Sequence, residues 1–95
     1  MIQGDPIAYL AQGYFHQDYD LEAETPIQVV AEFRRSEPVA VVDSLRVAVR
    51  RVLIEAKSHD ELIAVWLERA QASYDPRDDG IEICDWFRMV ERALL

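Results

Sequence analysis

Apolar residues recur at steps of three and four along almost the whole chain, and that period commits it to helices. Asp5-Pro6 supplies a cap followed by proline at the first helical position, and Ile7, Leu10, Ala11 and Tyr14 then line one stripe. The spacing predicts a first helix over residues 6–15. Thr25-Pro26 repeats the signal ahead of Ile27, Val30, Ala31 and Phe33. The helix it opens ends near Ser36, because Pro38 disfavours helical backbone at Glu37.

The third helix is the longest, over residues 38–57. Val42, Leu45, Val49, Val52 and Ala56 form its stripe, widened by Val41, Ala48 and Leu53. Its valines could suggest a strand, but the charges at Asp43, Arg46, Arg50, Arg51 and Glu55 follow a helix's polar side and not a two-residue alternation. Ser58-His59-Asp60-Glu61 has the form of a capping box ahead of Leu62, Ile63, Trp66, Leu67 and Ala70. Residues 73–80 are rich in Asp, Pro and Gly and predict a turn. Ile83, Trp86, Phe87, Val90 and Leu94 then mark a last helix. The expected fold is all-α, a compact single-domain bundle of about five helices over residues 1–95.

Size and charge narrow the function. Ninety-five residues hold one modest core, and a 51% apolar content argues against disorder. The net charge of −8 disfavours binding to nucleic acid through phosphates, and to anionic membranes. The charge is also segregated: residues 1–33 carry six acids and no Lys or Arg, residues 34–57 net +3, and residues 58–95 net −5. Such blocks create local fields that speed encounter with a basic partner. No basic side chain precedes Arg34, so no secretory signal is expected, and no apolar stretch approaches the roughly 20 residues that span a bilayer. With Cys84 as its single cysteine, the chain is expected in a reducing, cytoplasmic setting.

Motifs for chemistry are sparse. No nucleotide, P-loop, zincin or nucleophile-elbow pattern occurs, and no cofactor is expected. One cysteine and two histidines 43 positions apart match no metal spacing, so carboxylates would have to complete any tetrahedral set, and no metal site is expected. Residues 75–80 imitate the start of an EF-hand loop. Arg77 occupies a ligand position, however, and Trp86 stands where a bidentate Glu belongs, so a polar turn is the simpler reading. Cys84 could act as a nucleophile if His16 or His59 met it in space, but a small side chain at the core edge is simpler. His59 reads as a solvent-facing helix-start residue.

Tyr14, Phe15, His16, Gln17 and Asp18 form the least generic run. His16 with Asp18 could be a general acid/base pair; alternatively His16 binds the last carbonyls of the first helix while its neighbours anchor the loop. Beyond it Asp18, Asp20, Glu22 and Glu24 place a carboxylate at every second position. An extended backbone would project all four to one side at about 6.6 Å intervals, a spacing suited to a groove built for a phosphate backbone. The alternative is a solvated acidic loop.

Tyr9-Leu10, the run Tyr14-Phe15-His16-Gln17-Asp18-Tyr19-Asp20-Leu21 and Thr25-Pro26 resemble small CdiI-type immunity proteins of bacterial contact-dependent growth inhibition systems. Tyr74-Asp75-Pro76, Gly80 and Asp85-Trp86-Phe87 are similar to that group's closing loop and helix. Together the resemblance spans about residues 7–90. It implies a non-enzymatic inhibitor whose partner is the cognate CdiA C-terminal toxin domain, often a nuclease and in some systems one that cuts transfer RNA. Acidic surface from Asp18, Asp20, Glu22 and Glu24, from Asp75, Asp78, Asp79 and Glu82, or from both, would meet such a basic toxin. A generic acidic adaptor and a small His/Asp hydrolase are the alternatives.

Overall fold

The three capping residues read from the sequence, Asp5, Thr25 and Ser58, each open a helix. In a computed structural model, which describes residues 5–15 and 25–95, Asp5 Oδ1 accepts the Ile7 N–H at 2.9 Å and starts α1 (Pro6–Tyr14). α2 (Pro26–Ser36) begins where the Thr25 N–H donates to Gln28 Oε1 at 3.3 Å, and stops as Glu37 turns extended ahead of Pro38. Pro38 caps α3 (Val39–Glu55) with its carbonyl, which accepts the N–H groups of Val41 and Val42. α4 (His59–Ile63) opens on Ser58, whose Oγ accepts the Glu61 N–H at 3.3 Å. The return bond of the capping box falls one residue early: Glu61 accepts from the Lys57 N–H.

The fourth helix departs from the expected α-helical run to Ala70. Residues Ala64–Arg69 form a π-helical segment, and the Ala70 N–H reaches back five residues to the Val65 carbonyl at 3.0 Å. Leu62, Trp66 and Ala70 are all buried at steps of four. Each such step overshoots an α-helical turn by about 40°, and the wider π turn removes that drift. The segment closes on Gln71, whose φ of 60° puts a non-glycine residue in the left-handed region. A 3-10 turn (Pro76–Asp79) follows, ending on Gly80 at φ 74°, and leads into α5 (Ile83–Ala93).

α3 packs against α1 and α5, α2 against α1 and α5, and α4 against α5. The Cα radius of gyration is 12.2 Å, close to the ~12.4 Å of a compact chain this long. All five apolar residues expected on the last helix are buried. One stripe is rotated: on α2 Ala31 is exposed and Val29 is buried in its place. Val29 and Phe33 stand four apart and have far more surface to remove from water than a methyl group, so they set the facing.

An aromatic cluster fills the centre. Phe15 lies 5.4 Å from Trp66 and 5.5 Å from Trp86 between ring centroids, and Tyr74 lies 5.1 Å from Trp86. Such pairs contribute about 0.5–1.5 kcal/mol each beyond their burial. No helix among the described residues is long and apolar enough to cross a membrane.

Candidate functional site

Caps and turns, more than packing, set the polar surface at one end of the bundle. The turn ahead of α5 is held by Asp75, whose carboxylate accepts the Arg77 backbone N–H at 3.0 Å and the guanidinium at 2.7 Å. The guanidinium's hydrogen bonds hold the Asp75 carboxyl below its ordinary range, against the opposing effect of burial. Asp79 accepts the Tyr74 O–H at 2.9 Å, which ties the turn to the aromatic centre. Asp78, Asp79 and Glu82 face solvent. The Asp60 charge in the first turn of α4 also acts on Arg77, so Asp60 joins this surface although nothing in the linear spacing groups it there.

The apparent calcium loop is a closed turn: Arg77, at a ligand position, is bound to the carboxylate that would occupy the first. A different set of ligand-type side chains does converge. His59 at the start of α4, Glu82 at the cap of α5 and Cys84 in its first turn bring one donor atom each to within 4.8 Å of one another. His59 and Glu82 are exposed and Cys84 is half-buried. The Arg88 guanidinium lies 4.0 Å from the Cys84 sulfur and 3.3 Å from Asp85 Oδ1.

The aromatic part of the motif at the end of α1 is structural. Phe15 is fully buried in the aromatic cluster, and its carbonyl accepts the Ser73 N–H at 2.9 Å. Gln12 donates to the Ala70 carbonyl at 3.2 Å, so two bonds fasten the end of α1 to the end of the π segment. Tyr14 donates to Glu37 Oε2 at 2.7 Å, and the Tyr9 hydroxyl reaches the same carboxylate at 3.1 Å. Burial and the Glu37 hydrogen bond push the Tyr14 phenol up to about 12. Glu37 escaped the sequence reading because it lies past the end of α2, outside any stripe. His16, Gln17, Asp18, Asp20, Glu22 and Glu24, including the possible His16–Asp18 pair, lie outside the described residues.

The basic middle of the chain is displayed elsewhere. Arg34 and Arg46, with the acids Glu37 and Asp43 beside them, border an open groove floored by Val42 and Leu94. Arg34 closes its end by donating to the Leu95 carbonyl at 3.0 Å.

Residues 5–94 match the model of the CdiI immunity protein family. No curated protein matches the chain. Among solved structures, a chain of the CdiA-CT/CdiI complex from Y. kristensenii 33638 is similar at 18% identity with a TM-score of 0.87. The likeness covers 95% of this chain and 96% of that one, and at this identity it shows a shared fold.

Proposed function

The chain belongs to the CdiI immunity protein family, and on that premise we propose that it binds and neutralises the cognate CdiA C-terminal toxin domain. The similar solved chain comes from a CdiA-CT/CdiI complex, which supports a toxin domain as partner. In this reading the protein acts as a non-enzymatic inhibitor in the cytoplasm of the producing cell. The toxin is a basic nuclease, with transfer RNA among its candidate substrates.

The observation that carries the electrostatic part is the acidic end, where Asp60, Asp78, Asp79 and Glu82 are exposed around the α4 and α5 starts. The backbone that carries these carboxylates is held by capped helix starts and a closed turn, so they can meet a cationic cleft with little backbone ordering cost. Asp18, Asp20, Glu22 and Glu24 extend the acidic inventory in the same reading.

Stopped-flow association with the purified toxin domain tests the assignment. Charge reversal at Asp60, Asp78 and Glu82 together, in chelator-containing buffer, slows association by about tenfold and flattens its dependence on salt. Unchanged kinetics would remove this end from the interface. The same experiment on Asp18, Asp20, Glu22 and Glu24 decides their part separately.

A further inference from the structure

The geometry points to a divalent metal site formed by His59, Glu82 and Cys84, with zinc the fitting ion. Linear spacing conceals it, because His59 and Glu82 stand 23 positions apart. The fold removes that separation by setting the start of α4 beside the start of α5, and the three donor atoms then lie within 4.8 Å of one another. Tetrahedral zinc with bonds of about 2.0–2.3 Å places its ligands roughly 3.5 Å apart. The remaining contraction of about 1 Å is within reach of torsions in two exposed side chains. Among the described residues neither the His59 nor the Glu82 side chain is engaged in a hydrogen bond or ion pair, so metal binding breaks no existing contact of theirs.

The donor set selects the ion. A thiolate, an imidazole and a carboxylate suit zinc and its borderline neighbours, whereas magnesium and calcium require shells of oxygen. Cys84 gives its thiol proton to solvent on binding, and its thiolate with the Glu82 carboxylate neutralises the doubly charged ion. Arg88 is compatible with this arrangement, because Asp85 pairs it and the metal centre carries no net charge. Three protein ligands leave the fourth position to water. The site would staple the start of α4 to the start of α5, next to the acidic end, and it stands independently of toxin binding.

Cobalt(II) titration of the reduced, metal-free full chain tests this directly. One equivalent produces thiolate-to-cobalt charge-transfer absorption together with the intense visible bands of a tetrahedral ion, and zinc then displaces both. C84S abolishes the charge-transfer band, and H59A and E82Q each weaken binding by at least about tenfold. All three positions lie at the surface or core edge, and circular dichroism confirms that each variant keeps its helix content. A wild-type chain that gives no tetrahedral spectrum with cobalt overturns the site. So does a band that persists unchanged in H59A and E82Q, which would report the thiol alone.

Discussion

At the scale of single residues, four side chains account for features that periodicity does not describe. Gln71 occupies left-handed backbone at the end of the π segment and is exposed, so its side chain offsets little of that strain. Gln71→Gly is expected to stabilise the fold by about 1 kcal/mol, read as a higher urea midpoint at unchanged slope. The two central tryptophans differ in their hydrogen bonding. Trp66 Nε1 donates to the Tyr74 carbonyl at 2.7 Å, whereas Trp86 Nε1 is buried and finds no acceptor among the described residues. Trp66→Phe therefore loses a buried hydrogen bond, and it should cost about 0.5–1.5 kcal/mol more than Trp86→Phe in parallel denaturation. Tyr14, raised from 10.0 to about 12, stays neutral when an exposed tyrosine ionises. Since the folded state holds this proton more tightly, its stabilising effect is complete below pH 10 and is lost as pH rises towards 12. Glu37→Gln brings the Tyr14 midpoint down in an ultraviolet titration of phenolate.

At the scale of elements, the helix starts were legible because capping is local chemistry. Asp5-Pro6, Thr25-Pro26 and Ser58 each begin a helix where the sequence places one. Ser58→Ala should cost about 1 kcal/mol, lowering the thermal midpoint by roughly 4–8 °C. The helix faces were legible wherever large apolar residues set them, as on α5, and misread on α2, where the small Ala31 was assigned a place that Val29 takes. The π segment was not legible, because the step from Leu62 to Trp66 to Ala70 fits an α-helical stripe over so short a run. The meeting of His59, Glu82 and Cys84 was hidden for a different reason: it depends on how α4 and α5 dock, which no local signal encodes.

At the scale of the whole molecule, part of the charge pattern of the sequence becomes a surface. Asp60, Asp78, Asp79 and Glu82 are exposed around the starts of α4 and α5, whereas the basic middle is partly neutralised: Arg46 pairs with Asp43, Arg50 with Glu91, and Glu37 lines the groove with Arg34. A local acidic surface gives a molecule an orienting field, which the proposed function uses to meet a basic toxin. The motif at the end of α1 carries the family resemblance, yet Tyr14 and Phe15 spend their contacts on Glu37, Ser73 and the aromatic centre. These two residues hold the scaffold. The most direct measurement is growth of cells induced to make the cognate CdiA C-terminal toxin domain, with and without the chain. Co-expression is expected to restore growth, and toxin and chain to purify as a stoichiometric complex. Growth arrest undiminished by a well-folded, abundant chain would contradict it.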